Sequence, residues 1–125
     1  MYIVLLCPNP QESNLLQSLA QKMRIKAVVV RTPEDALKKL SSYKGPGLFM
    51  CEGAAVEGEP PWVGVNVMRE VSEKFPTLKI FAMCPHDDAE TLRVCQELGV
   101  EHIFQRPISV PTYYSKLEMF LKAMG

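Results

Sequence analysis

The sequence predicts an α/β domain in which one parallel five-stranded sheet is covered by helices on both faces. Two observations lead to this prediction. Short apolar segments alternate five times with longer segments whose apolar residues recur at helical spacing. The short segments are apolar at consecutive positions, which is typical of strands that are buried on both sides. A length of 125 residues suits one domain, so we expect residues 1–125 to form a single unit.

Five segments have the length and composition of strands. Each is short and carries β-branched, aromatic or other large apolar residues. The predicted strands cover residues 2–6, 27–30, 48–51, 79–83 and, with the weakest pattern, 102–105.

The segments after these strands have the apolar spacing of helices. Their predicted bounds are residues 11–23, 33–40, 65–75, 88–98 and 111–124. Thr32 is a suitable N-cap for the second helix because Pro33 follows it at the first helical position. Gly99 follows the fourth helix, at the position where a glycine commonly ends a helix. Each strand is therefore followed by one helix.

The alternation of strands and helices restricts the topology. Right-handed crossovers between parallel strands lead to a three-layer, doubly wound sandwich with the flavodoxin-like strand order 2-1-3-4-5. In such sheets, functional side chains lie beyond the carboxyl ends of the strands. The candidate residues at that edge are Cys7, Pro8, Glu52, Cys84, Arg106 and Pro107.

The composition argues against several classes of protein. Fourteen basic residues balance fourteen acidic ones, so no excess of charge points to nucleic acid. Four cysteines without a CxxC pair argue against a zinc ribbon and suit a reducing compartment. No apolar run approaches about 20 residues, and two prolines interrupt the apolar N-terminus, so we expect no membrane span and no signal peptide. The expected location is the cytoplasm.

Three stretches, IVLLCPNPQESNLL, GPGLFMCEG and LGVEHIFQRPIS, together resemble the receiver domain of two-component response regulators. In that family the first strand ends in two acids before Asn-Pro, and the third strand ends in the phosphorylated Asp. In the family, the last of the three stretches contains a Gly, six further residues and then Lys-Pro. The resemblance covers essentially the whole chain and implies a signalling domain with the α/β fold predicted above.

The resemblance also implies a phosphorylation site whose essential acids are replaced. The two Mg²⁺-binding acids of the family fall on Cys7 and Pro8, and the phosphorylated Asp falls on Glu52. The Ser or Thr that contacts the phosphoryl group falls on Cys84. The family's Lys falls on Arg106, with its Pro retained as the next residue. The aromatic switch position, three residues before the Lys, becomes Ile103.

These replacements disfavour metal-dependent phosphorylation. Mg²⁺ prefers carboxylate oxygens, whereas Cys is a soft ligand and Pro has no side-chain donor. With Glu52 as the only carboxylate expected in the pocket, we predict no bound metal, no cofactor and no enzymatic activity. The predicted role is that of a pseudo-receiver, a phosphorylation-independent protein-interaction module. The alternatives are an atypical phosphoreceiver that still works in a phosphorelay and, less favoured because no GxGxxG loop is present, a flavodoxin-like small-molecule binder.

Glu52 and Arg106 allow two interpretations. A bidentate contact between their side chains would hold the domain in one state permanently. Alternatively, they form a solvated ion pair that contributes little to stability. Cys7 and Cys84 also allow two interpretations. They are either a redox or soft-metal pair, or simply small buried apolar side chains.

The resemblance implies a partner surface made of the fourth helix, the fifth strand and the fifth helix. It would bind a protein partner, an attached output domain or a second copy of the chain. Its expected residues are Arg93, Gln96, His102, Gln105, Tyr113 and Lys116.

Two further segments carry residues that could belong to a site. His86, Asp87 and Asp88 are either a metal or catalytic cluster, or a loop whose acids begin a helix. Trp62 lies in a Gly- and Pro-rich segment, residues 53–64, and is either a partner contact or a cover over the pocket.

Overall fold

A computed structural model describes residues 2–7, 9–43, 47–53, 63–84 and 88–124 of the chain. Strands and helices alternate throughout. The strands are β1 (Tyr2–Leu6), β2 (Lys26–Val30), β3 (Gly47–Glu52), β4 (Lys79–Cys84) and β5 (His102–Gln105). The helices are α1 (Pro10–Lys22), α2 (Pro33–Ser42), α3 (Val63–Lys74), α4 (Ala89–Leu98) and α5 (Val110–Met124).

The five strands form one parallel sheet in the order β2-β1-β3-β4-β5, which confirms the predicted topology. The register brings the carboxyl ends of the strands to one edge. Leu6 lies opposite Cys51, and Glu52 lies opposite Met83. On the outer side, Cys84 lies opposite Gln105. The ends of β1, β3, β4 and β5 therefore meet where the sequence predicted the site.

Alternate residues of the central strands enter two separate cores. Ile3 and Leu5 face the core beneath α1 and α5, which also contains Leu16 and Leu117. The other core, beneath α2, α3 and α4, takes the intervening residues of β1; its members include Val4, Leu6, Leu40, Met68 and Cys95. Both faces of the sheet are covered, which explains why its strands are apolar at consecutive positions.

The helix ends follow from local sequence. Thr32 is the N-cap of α2, and its hydroxyl accepts a hydrogen bond from the backbone N–H of Asp35 at 3.1 Å. Gly99 ends α4 with φ of 71°, a left-handed conformation that glycine adopts without steric cost. Both predicted caps are confirmed.

The element bounds differ from the prediction by one or two residues at most ends. The most consequential difference is that Glu52 and Cys84 are the last residues of strands rather than the first residues of loops. Among the described residues, none of the helices has the length and apolar character needed to cross a bilayer.

Candidate functional site

An ionic cluster of Arg106, Glu12 and Glu52 lies at the carboxyl edge of the sheet. Arg106 Nε and Nη2 donate to Glu12 Oε2 and Oε1 at 3.0 and 2.7 Å. Arg106 Nη1 donates to Glu52 Oε1 at 3.2 Å, and Nη2 also donates to Glu52 Oε2. One guanidinium thus forms two-pronged contacts with two carboxylates, the geometry that suits its planar fork.

Each member of the cluster comes from a different part of the fold. Glu52 is the last residue of β3, and Arg106 directly follows β5, where its backbone N–H donates to Cys84 O at 3.0 Å. Glu12 lies in the first turn of α1. Asn9 caps that turn by accepting hydrogen bonds from the backbone N–H groups of Gln11 and Glu12 at 3.0 and 3.1 Å.

The cluster is largely shielded from solvent. The Glu52 side chain is 5% exposed, and those of Glu12 and Arg106 are 20% and 26% exposed. The pair expected between Glu52 and Arg106 is present, and its burial rules out the interpretation of a solvated surface pair.

The sequence analysis missed Glu12, and the expectation of a single carboxylate in the pocket is wrong. The pattern Asn9-Pro10-Gln11-Glu12 reads as a capped helix start, with an acid that suits the helix dipole. In the folded chain, the side chain of Glu12 instead reaches Arg106, 94 residues away in sequence.

Charge pairing outweighs burial in setting the ionisation of the cluster. Burial opposes ionisation of Glu12, but hydrogen bonds and charge attraction from Arg106 lower the pKa of this carboxyl below its ordinary value. Burial likewise opposes the charge on Arg106, and the two glutamates nevertheless raise the pKa of its guanidinium. Both groups therefore stay charged at neutral pH.

Four buried free cysteines lie near this edge, and burial raises the pKa of each thiol. Burial, together with a hydrogen bond from Cys7 Sγ to Glu12 Oε1 at 3.3 Å, raises the pKa of Cys7 to about 12. Burial also raises the pKa of Cys95 to about 11 and that of Cys84 above its ordinary value. Protonated thiols are weak nucleophiles and weak metal ligands, which favours the interpretation of Cys7 and Cys84 as buried apolar residues.

Several predicted residues lie outside the described part of the chain. These are Pro8, Trp62, His86 and Asp87. Asp88 is described and is the N-cap of α4, where its carboxylate accepts hydrogen bonds from the backbone N–H and the hydroxyl of Thr91 at 3.0 and 2.6 Å. Within the described ranges, no three His, Cys, Asp or Glu side chains are arranged to hold a metal ion.

Five of the six residues expected on the partner surface are at least partly accessible. Arg93, Gln96 and Gln105 are exposed, and His102 and Lys116 are half-buried. The prediction that Tyr113 lies on this surface is wrong. Tyr113 is 1% exposed, and its hydroxyl donates to Leu16 O at 2.9 Å. The first turn of α5 directs this ring into the core beneath α1, so Tyr113 cannot contact a partner.

Ile103, at the position of the switch aromatic in the resembled family, is a partly buried aliphatic side chain. It packs against the core beneath α3 and α4, together with Ala82 and Cys95. Pro107 is exposed and follows a cis peptide bond from Arg106.

Comparison with solved structures identifies the fold. The chain superimposes on the receiver domain of NtrX from Brucella abortus with a TM-score of 0.84 and 14% identity over 98% of each chain. The fold is that of a response-regulator receiver domain. A two-component response regulator from Clostridium difficile gives a TM-score of 0.83 and 17% identity over 100% of this chain and 98% of that chain.

Two further comparisons concern the context in which the receiver fold occurs. The beryllofluoride-activated NtrC4 receiver domain dimer gives a TM-score of 0.83 and 14% identity over 99% of this chain and 98% of that chain. The chain spans only 26% of the NtrX chain that was crystallised with ADP, with a TM-score of 0.82. No protein-family model matches the sequence, and no curated protein does.

The described side chains at this edge do not fit the Mg²⁺ ion that the resemblance to receivers implies. Mg²⁺ binds carboxylate oxygens and dehydrates reluctantly. Both carboxylates here, Glu12 and Glu52, already bind a guanidinium that cannot lose its proton. The position that follows β1 holds the protonated thiol of Cys7. A metal ion would have to displace Arg106 and break at least four hydrogen bonds.

Proposed function

We propose that the chain is a pseudo-receiver, a signalling domain with the receiver fold that has lost Mg²⁺-dependent aspartyl phosphorylation. It acts by binding another protein rather than by catalysis, and it works in the cytoplasm. Residues 1–125 form one such domain. The observation that carries the proposal is the double contact of Arg106 with Glu12 and Glu52 at the place where receivers hold their metal and phosphoryl group.

The charge of the cluster supports this proposal. Phosphoryl transfer to a carboxylate requires cations that neutralise the charge on the transferring group. Arg106 is the cation in the cluster, and its donors are taken by Glu12 and Glu52. Glu52 also has one more methylene than the Asp of the family. A phosphodonor would therefore meet a carboxylate that is already paired with the cation of the cluster.

A permanent lock is the second part of the proposal. In place of a reversible phosphoryl group, the guanidinium of Arg106 ties the ends of β3 and β5 to the start of α1. The domain would then present one conformation to its partner at all times. Ile103 at the switch position supports this view, since a partly buried aliphatic side chain has no aromatic ring to turn outward.

The partner surface remains a proposal for the residues that are accessible. They are Arg93, Gln96, His102, Gln105 and Lys116 on α4, β5 and α5. A second copy of the chain and an attached output domain are both suitable partners, because NtrC4 receiver domains form a dimer and because NtrX contains this fold within a longer chain.

A functional phosphoreceiver is the competing proposal, and a direct chemical test separates the two. The full chain is incubated with acetyl phosphate and Mg²⁺, and its intact mass is measured. We expect no phosphoryl adduct, because Arg106 holds the one carboxylate at the acceptor position. A wild-type adduct that disappears in Glu52→Gln would overturn the proposal. An acyl-type adduct that persists in Glu52→Gln would show that another acid accepts the phosphoryl group, and it would overturn the proposal as well.

A further inference from the structure

A small cavity lies between α5 and the first residues of β4 and β5. It has a volume of about 170 Å³. Its wall on α5 consists of residues at helical spacing on one face of that helix, namely Lys116, Met119, Phe120 and Ala123. The wall on the sheet consists of Lys79, Phe81, Glu101 and His102. The cavity is therefore at the opposite edge of the sheet from the ionic cluster.

Aromatic side chains form the apolar part of the cavity. Phe81 and Phe120 are 2% and 5% exposed, so their positions are fixed by the core. The ring of His102 lies opposite Phe81 in the register of β4 and β5, with the ring centroids 6.1 Å apart and the planes at 75°. Met119 is 58% exposed on the α5 wall, and a thioether makes favourable contacts with aromatic rings. These surfaces suit an occupant with a flat apolar ring.

The volume limits the size of an occupant. Drug-sized ligands fill clefts of about 300 Å³ or more, and an α-helix with its side chains is about 10 Å wide. A water molecule in the liquid occupies about 30 Å³. The cavity, at about 170 Å³, therefore has room for one small ring with a substituent and is too small for a helix of a partner protein.

The charged groups of the cavity favour an anion. Lys79 and Glu101 form an ion pair at 3.5 Å, so their charges compensate each other. Lys116 is half-buried, and within the described ranges its ammonium takes part in no ion pair or hydrogen bond. A carboxylate beside Lys116 would supply the missing counter-ion through a charge-assisted hydrogen bond.

His102 adds a group whose charge can respond to an anion. Burial of the ring lowers its pKa below the ordinary value of 6.5, and the nearby positive charge of Lys116 lowers it further. Lys79 and Glu101 are the other charged residues that line the cavity around this ring. The ring is therefore neutral at neutral pH, and a bound anion would favour its protonated form.

We propose that this cavity binds a small aromatic carboxylate, with the carboxylate between Lys116 and His102 and the ring against Phe81 and Phe120. The proposal goes beyond the proposed function, because it assigns a small-molecule site that needs no protein partner. His102 and Lys116 also belong to the proposed partner surface, so the ligand would lie within that surface. An apolar wall with a few polar groups that fix orientation is the usual composition of a small-molecule site.

Benzoate is the probe, and it is titrated into the full ¹⁵N-labelled chain near neutral pH. We expect saturable amide shifts at His102, Lys116 and Ala123 with a Kd of about 1 mM, since a ligand of this size makes few contacts. Benzamide has nearly the same shape without the charge and should bind about tenfold more weakly. Propionate stands in for a Glu side chain of a partner protein and should bind about fivefold more weakly, because it lacks the ring.

Two lysine variants of α5 locate the site. Lys116→Met removes the charge and keeps most of the aliphatic stem, so it should weaken benzoate binding about tenfold and leave benzamide binding unchanged. Lys122→Met is the matched control, because Lys122 is exposed on the same helix and lies outside the cavity. It should leave both affinities unchanged. Amide spectra of both variants show whether each is folded.

The ionisation of His102 gives an independent readout. A bound carboxylate stabilises the imidazolium, so benzoate should raise the pKa of His102. By reciprocity, benzoate should bind about threefold more tightly as the pH falls from about 7.5 to 5.5, a range in which it stays ionised. Titration of the histidine ring signals with and without benzoate measures the shift. The chain has two histidines, and His86→Gln identifies the signal of His102.

Several results would overturn the proposal. They are the absence of saturable shifts at about 10 mM benzoate, equal affinity for benzoate and either benzamide or propionate, and equal weakening by Lys116→Met and Lys122→Met. An unchanged pKa of His102 would contradict the placement of the carboxylate beside this ring. None of these results concerns Glu52, so the phosphodonor test judges the pseudo-receiver role separately.

Discussion

Arg106 is the residue on which the chemistry of the site depends. It brings together two carboxylates, Glu12 and Glu52, that would otherwise repel each other in a largely buried position. Burial of charge is costly unless each group is paired and hydrogen-bonded, and Arg106 meets that requirement for both glutamates. The same contacts that stabilise the site leave its carboxylates unavailable to a metal ion.

Removal of the Arg106 guanidinium should destabilise the folded protein. In Arg106→Gln, the two glutamates lose their counter-ion, and we expect the free energy of unfolding to fall by about 3 kcal/mol at neutral pH. Urea unfolding measures the change. Arg93→Gln is the control, because Arg93 forms an exposed pair with Glu97 at 2.6 Å and should cost less than about 0.5 kcal/mol. Equal losses in the two variants would show that the cluster is not a stabilising element.

The pH dependence of stability should report Glu12. Because folding lowers the pKa of Glu12 below its ordinary 4.5, this carboxylate contributes stability above pH 4.5, and the contribution is lost as the pH falls through the folded-state pKa. Wild-type protein should therefore lose stability below pH 4.5 more steeply than Glu12→Gln. Urea unfolding at several pH values between about 3 and 7 measures both slopes. Parallel slopes would contradict the assigned pairing.

The role of the Glu12 side chain is ambiguous when only the sequence is considered. Asn9 followed three residues later by Glu12 is the pattern of a helix start whose acid closes the cap. The structure uses Asn9 for the cap and Glu12 for a long-range ion pair. Local pattern cannot distinguish these uses, because the partner of Glu12 is set by the sheet order. Arg106, which follows β5, and Glu52, which ends β3, could be placed at this edge from the sequence.

At the scale of elements, α1 links the helix cap to the site. Asn9 satisfies two backbone N–H groups at the start of α1, which fixes the turn from which Glu12 reaches Arg106. The bounds of this helix and of the strands could be predicted to within one residue, because apolar runs are local signals. The inward direction of Tyr113 could not, because it depends on how closely α5 packs beside α1.

Loss of this cap should disturb the site as well as the helix. Asn9→Ala should reduce the free energy of unfolding by about 1 kcal/mol and raise the pKa of Glu12, since the first turn of α1 loosens. Thr32→Ala is the matched control: it removes the N-cap of α2 at a similar cost but should leave Glu12 unchanged. Carboxyl NMR shifts of Glu12 against pH measure the difference, and identical titrations in wild type and Asn9→Ala would contradict the link.

At the scale of the whole molecule, the sheet order makes the site. Parallel strands bring the ends of β1, β3, β4 and β5 to one edge, although their residues are separated by tens of positions in sequence. The described residues have the strand order and the five helices of the receiver fold, and at the carboxyl edge of the sheet Arg106 binds both Glu12 and Glu52. The fold could be predicted because it depends on a repeated apolar pattern, whereas the state of the pocket depends on a few contacts between distant side chains.

Titration of the full chain with Mg²⁺ tests the central claim most directly. The amide signals of Glu52, Gly53 and Arg106 in two-dimensional NMR spectra report any ion that enters the pocket, and NaCl at equal ionic strength is the control. Because the guanidinium of Arg106 holds both carboxylates, we predict no saturable shift at millimolar Mg²⁺ beyond that seen with NaCl. Saturable shifts confined to these three residues would contradict the account.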